Sequence, residues 1–210
     1  MQTARPAADF SESDESDEEE DIEERRIRQA DLPPEYWSIQ KLVRYLSGGN
    51  VTATVIALSS LRDHDLTSEI AQFAIRDVGG LELLINLLDT DEDKCKIGAL
   101  QVLKDISLHP QVKKAIAEMN GMRPLVAILE APSDQLKCLA AITISHCARF
   151  PRSRRMFRYY GGVPKAVELL RIGAQDHAKL EVARCGALAL WSCSSSQKNK
   201  EHILKVPSPF

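Results

Sequence analysis

The sequence predicts an all-α protein, a right-handed helical solenoid behind a disordered acidic N-terminal tail, and three observations carry that prediction. A tripeptide recurs as Gly79-Gly80-Leu81, Asn120-Gly121-Met122 and Gly161-Gly162-Val163, its central glycines 41 residues apart each time. A period of that length belongs to stacked helical repeats, each unable to bury its apolar face alone. The apolar residues keep the same interval: Leu84, Leu125 and Ala166 correspond, as do Ile85, Val126 and Val167, and Leu88, Leu129 and Leu170. Their spacing within each copy places them on one helix face. Composition agrees, with aromatics at 5% and no regular alternation of β-branched residues that would announce a sheet.

Taken in chain order, residues 1–31 form the tail. They hold 12 acids against four arginines, a formal charge of about −8, and leave the rest of the chain with 23 bases against 18 acids. A run such as residues 11–21 buries too little apolar area to offset chain entropy, which predicts disorder. Ser11, Ser13 and Ser16 each precede acids and are candidate sites for an acidophilic kinase. A solvated linker, a phosphorylation-controlled element and a segment folding back on the basic repeats are the roles open to it.

Residues 32–77 read as an atypical first repeat, in which Trp37, Ile39 and Leu42 replace the glycine corner. Two regular repeats follow over residues 78–119 and 120–160. The second predicts helices over residues 111–119, 123–130 and 135–149, with Asn120-Gly121 as a left-handed stop and Pro124 tolerated in a first turn. The repeat over residues 161–206 is displaced by five: Leu190, Cys193 and Ile203 follow Ile144, Cys147 and Phe157 by 46. That places a five-residue insertion near residues 171–177, expected in a loop. Residues 207–210 break the pattern, since a fresh glycine pair is due there and Pro207-Ser208-Pro209-Phe210 stands instead. The expectation is a shortened form of a longer array, with an exposed apolar end face.

Catalytic chemistry finds little support. The glycine pairs lack the strand and lysine context of a phosphate loop. His64, His109, His146, His177 and His202 are scattered, and no paired metal-ligand spacing occurs. His146 neighbours Cys147, but adjacent helical residues point about 100° apart and no third group orients them. Asp89, Asp91, Glu92 and Asp93 lack the glycine turn and closing Glu of a calcium loop. The reading is therefore a non-enzyme without metal or cofactor. The five cysteines include no C-x-x-C, and four of them lie at or near helix positions where Cys acts as a small apolar residue, which suits a reducing compartment. No apolar stretch reaches a membrane span, and no signal core opens the chain.

The densest charge is Arg149, Arg152, Arg154, Arg155 and Arg158, followed by Lys165. Such a patch attracts an acidic surface, and arginine grips carboxylates in bidentate fashion. With few aromatics to stack bases, a protein target ranks above nucleic acid.

The glycine corner, the leucine-rich second helix and the alanine-rich third helix together resemble armadillo repeats. Residues 31–37 (DLPPEYW), 74–81 (AIRDVGGL) and 182–193 (VARCGALALWSC) more narrowly resemble the armadillo-repeat subunits of the outer dynein arm docking complex, a likeness covering about residues 31–205. The resemblance implies a scaffold in the ciliary axoneme that helps anchor outer dynein arms to doublet microtubules. Its partners would be docking-complex proteins, the dynein arm or the microtubule surface. It would serve ciliary beating, mucus clearance and left–right asymmetry, with a cytoplasmic pool before assembly. The alternative is a soluble cytoplasmic adaptor controlled through its tail. Nuclear-import receptors of this fold carry a Trp/Asn ladder on their third helices. The corresponding positions here are Gln101 and Asp105, Ile142 and His146, and Leu188 and Ser192, so that function is not expected. These six still mark the candidate concave surface, and their change from polar to apolar suits a docked partner helix.

Overall fold

The computed structural model describes residues 32–206. The acidic tail with Ser11, Ser13 and Ser16, and the divergent residues 207–210, lie outside the described residues. Twelve α-helices and two 3₁₀ turns make up the described part, without a strand: α1 (Pro34–Tyr45), α2 (Val51–Leu61), α3 (Glu69–Asp77), α4 (Gly80–Asn86) continuing into a 3₁₀ turn (Leu87–Asp89), α5 (Asp93–Ile106), α6 (Pro110–Glu118), α7 (Met122–Ile128), α8 (Asp134–Cys147), α9 (Pro151–Tyr159), α10 (Gly162–Gln175), a second 3₁₀ turn (His177–Lys179), α11 (Leu180–Cys193) and α12 (Gln197–Lys205). The order repeats as short helix, corner, second helix, third helix, and the third helices α2, α5, α8 and α11 pack in succession as one layer.

Local sequence sets the boundaries. Asn50, Ser68 and Ser133 each accept a hydrogen bond from the backbone N–H three residues on, capping α2, α3 and α8. These caps satisfy donors that a helix start leaves open. Pro34, Pro110 and Pro151 open α1, α6 and α9, where a missing N–H costs nothing. The matched positions Leu84, Leu125 and Ala166 are all buried, as are Ile75, Ile116 and Phe157, within one continuous core running from Tyr36 to Cys193. Cys147, Cys185 and Cys193 are buried within it, Cys95 is buried and Cys138 is half-buried, all as free thiols.

The two residues of each corner do different work. Gly79, Asn120 and Gly161 have φ of 67°, 60° and 73°, the left-handed region that glycine enters freely and asparagine tolerates. The following glycines are needed for closeness. A Cβ on Gly162 would lie 2.4 Å from the Phe157 ring, and one on Gly80 would lie 2.7 Å from the Ile75 carbonyl oxygen. Asparagine therefore substitutes at the first position and not at the second.

The segment that breaks the 41-residue register is not a loop. Helix α10 runs 14 residues through Gln175, whereas α7 ends after seven. Residues 171–175 contain nothing that stops a helix, and Gly173 is buried where an added Cβ would sit 2.3 Å from that of Ala183. The extra residues lengthen the second helix along α11. The turn comes after them, where Asp176 accepts from the Ala178 N–H at 2.9 Å.

Hydrogen bonds between repeats follow the sequence period. Tyr36 donates to Asp77 at 2.5 Å, Tyr160 to Asn120 at 2.7 Å and Arg158 to Asn199 at 2.6 Å, across separations of 41, 40 and 41 residues. Burial, then the Asp77 carboxylate, pushes the Tyr36 hydroxyl up to about 12.

Candidate functional site

A basic patch and a concave stripe were expected as separate features. The structure divides the first and joins part of it to the second. Of the five arginines, two are engaged internally. The Arg154 guanidinium donates to the carbonyls of Ala148 at 2.7 Å and Arg149 at 3.2 Å, closing the carbonyl end of α8. Arg158 donates to the Asn199 side chain. Asn199 is fully buried and in turn donates to the carbonyls of Cys193 at 3.0 Å and Arg154 at 3.2 Å, tying α9, α11 and α12 together. Arg149, Arg152 and Arg155 remain exposed, with no carboxylate within ion-pair distance among the described residues. Lys165 pairs with Glu130 at 2.8 Å. The bonds of Arg154 and Arg158 were not legible because their partners lie in other elements.

All six residues of the stripe, Gln101, Asp105, Ile142, His146, Leu188 and Ser192, are half-buried on α5, α8 and α11. Three of them, His146, Leu188 and Ser192, line a groove of about 600 Å³ between α8 and α11, together with Arg149. Gln101, Asp105 and Ile142 lie outside it. Sequence reasoning missed other lining residues, among them Lys113 from α6, Lys200 from α12, and the apolar Leu108 and Trp191. Trp191 is 75% exposed and Leu108 53% exposed.

Lys113 had a signal in the repeat register. Gln72, Lys113 and Arg154 occupy equivalent positions on α3, α6 and α9, 41 residues apart. The first and last each donate backwards to a carbonyl, Gln72 to Thr67 at 3.0 Å and Arg154 to Ala148. In the middle repeat Lys113 makes no such bond; nearby, Ser107 donates from its hydroxyl to the Lys104 carbonyl at 2.8 Å, and His146 Nδ1 lies 3.1 Å from the same oxygen. Lys113 buries most of its stem, and its ammonium, without a hydrogen-bond or ion-pair partner among the described residues, reaches the groove. Burial, then the neighbouring Arg149 charge, pulls its pKa below the usual lysine range. Burial also lowers His146 from its ordinary 6.5, although its bond to the Lys104 carbonyl acts the other way and Lys113, Lys104 and Arg149 add to the lowering.

The Cys147 thiol beside His146 is fully buried and pushed up to about 12 by that burial, so it is protonated and inaccessible as a nucleophile. Among the described residues no group of His, Cys, Asp and Glu is arranged to hold a metal ion, and no helix is long and apolar enough to cross a membrane.

Stacked three-helix repeats, left-handed corners and an open groove along the third helices define an armadillo-repeat protein. A designed armadillo repeat protein shares the fold at a TM-score of 0.70 with 18% identity, covering 80% of this chain and 69% of that one. The chain is 54% identical over 192 residues to outer dynein arm-docking complex subunit 2 of Mus musculus, spanning 87% of this chain and 18% of the relative. It is 44% identical over 115 residues to the armadillo repeat-containing protein gudu of Drosophila melanogaster, spanning 55% of this chain and 17% of that protein. Over the stretch it shares, the chain is a homologue of the outer dynein arm-docking complex subunit. It spans about a fifth of the length of the curated relatives it matches. No protein-family model matches the chain.

Proposed function

We propose that this chain is a non-enzymatic scaffold that helps hold outer dynein arms to the doublet microtubules of the ciliary axoneme. The observation carrying this is 54% identity to the mouse docking-complex subunit across nearly the whole solenoid. Likeness of that extent supports a shared docking role. Its partners are proteins of the docking complex, the dynein arm or the microtubule surface, and no membrane or nucleic acid takes part.

Two surfaces are offered for those contacts: the exposed Arg149, Arg152 and Arg155, and the half-buried stripe of Gln101, Asp105, Ile142, His146, Leu188 and Ser192. Arg154 and Arg158, each hydrogen-bonded within the fold, are not put forward for those contacts. The alternative, a soluble cytoplasmic adaptor switched by phosphorylation at Ser11, Ser13 and Ser16, draws on the acidic sequence around those serines.

Proximity labelling in multiciliated cells tests the scaffold reading, with the chain compared against a variant carrying Glu at 149, 152 and 155. Labelling of docking-complex and dynein-arm proteins, reduced in the charge-reversed variant, is expected. A chain wholly extracted by detergent, labelling cytosolic proteins alone, would favour the adaptor.

A further inference from the structure

We propose that Cys138 and Cys185 form a peroxide-sensitive dithiol pair that closes to a disulfide between α8 and α11, stapling the repeat over residues 120–160 to the one over residues 161–206. The inference stands apart from the scaffold reading and needs no partner protein.

The packing brings the two thiols together. Helices α8 and α11 are neighbours in the layer of third helices. Their starts are tied by an ion pair, Asp134 at the beginning of α8 and Lys179 just before α11, 3.6 Å apart. Cys138 lies one turn beyond Asp134. The Cys185 side chain leans back toward the start of its own helix, its Sγ 3.8 Å from a Glu181 carboxylate oxygen. Both thiols therefore sit about one turn above the ion pair, at the same level of the interface. Cys138 feels three residues of α11 there: the Cys185 thiol, to which it is hydrogen-bonded, and the charges of Glu181 and Arg184.

The pair divides into an attacking and a resolving thiol. Cys138 is half-buried and open to a small oxidant, whereas Cys185 is buried. The hydrogen bond from Cys185 holds Cys138 below the ordinary thiol value, against its partial burial, and Arg184 adds to the lowering. Cys185 gives the proton of that bond and is raised by it, with burial acting the same way. The other thiols differ. Burial pushes Cys147 and Cys193 up to about 12 and raises Cys95 as well. A dissolved oxidant thus meets one thiol with thiolate character, and that thiol faces a second one across the interface.

The chemistry needs hydrogen peroxide as oxidant. The Cys138 thiolate attacks one peroxide oxygen, the O–O bond breaks, and the departing hydroxide takes up the proton that Cys138 had shed. Cys138 is now a sulfenic acid. The Cys185 sulfur attacks the Cys138 sulfur, the S–O bond breaks, and hydroxide leaves as water with the Cys185 proton. Two thiols and one peroxide give one disulfide and two waters, and a thiol reductant reverses the change. A transient bridge of this kind suits a reducing compartment. While closed, it joins residues distant in sequence and so restricts the unfolded chain.

The test treats the full, reduced chain with stoichiometric hydrogen peroxide and reads intact mass, peptide linkage and melting temperature. The expected results are a loss of two hydrogens, a linked pair of peptides carrying Cys138 and Cys185, a melting temperature several degrees higher, and reversal by dithiothreitol. Cys185→Ser should stop at the sulfenic acid of Cys138, trapped by dimedone. Cys138→Ser should give neither product, with peroxide consumption slowed at least tenfold. Circular dichroism checks that both variants are folded, and Cys185→Ala repeats the trapping experiment without a hydroxyl. The peptide linkage in the unaltered chain depends on no variant.

Sulfinic acid accumulating on Cys138 of the unaltered chain, without a bridge, would overturn the proposal by showing that Cys185 does not reach it. Bridges between two chains, or bridges to Cys95, Cys147 or Cys193, would also overturn it. So would undiminished peroxide consumption by folded Cys138→Ser. Every readout is made on the purified chain, so retention on axonemes or its loss bears on the scaffold reading alone.

Discussion

Each corner places two backbone demands side by side, and they are separable by mutation. Gly161→Ala keeps the space but forces a left-handed alanine, at about 1–2 kcal/mol. Gly162→Ala puts a methyl into the Phe157 ring and should cost on the order of 1–3 kcal/mol through overpacking. Asn120→Gly should stay within about 0.5 kcal/mol, because both residues accept that backbone. Urea denaturation of the three variants checks the separation, and an Asn120→Gly variant as unstable as the two alanine variants would contradict it. His146 supplies a pH dependence. Its folded pKa lies below the ordinary 6.5, so between the two values the unfolded chain binds the extra proton. Its contribution is full above pH 6.5, falls as the pH drops to the lowered folded value, and does not fall further below it. His146→Gln should flatten that part of a melting-temperature profile, and an unchanged slope would mean that other groups carry it.

At the level of elements, α9, α11 and α12 meet at one buried side chain. Asn199 bonds to Arg158, the Arg154 carbonyl and the Cys193 carbonyl. Replacing it with leucine strands those partners, with an expected loss of about 1–3 kcal/mol. Arg155→Ala, exposed on the same patch, should stay within about 0.5 kcal/mol. Equal losses from the two would mean that Asn199 does not hold the three helices together. The lengthened α10 shows why spacing misleads about insertions. A displacement of five reports added residues and leaves open whether they loop out or extend a helix. Gly173 against Ala183 decided for the helix, through a contact between residues ten apart that register counting does not contain.

Across the whole molecule, the third helices form one layer in which each contacts its immediate neighbours. Stability in such an array is close to a sum of repeat and nearest-neighbour interface contributions. Helices α5 and α8, flanked on both sides, should show the slowest amide exchange, and α12 faster exchange. Uniform protection across the solenoid, read by hydrogen exchange and mass spectrometry, would indicate all-or-none unfolding instead.

The sequence by itself determined the period, the helix faces and the corner residues. Each of these follows from constraints acting within one repeat, namely helix pitch, chirality and burial, and the constraints recur every 41 residues. Tertiary structure alone decided which arginines are engaged, where the displaced residues go and what the groove contains. Those outcomes depend on partners from other elements: Arg158 finds Asn199 in α12, and Lys113, Arg149, Trp191 and Lys200 converge from four different parts of the chain. A repeat pattern fixes what each unit needs in order to pack. The side chains left exposed or unpaired, and hence available to a partner, are settled only when neighbouring units have been stacked against one another.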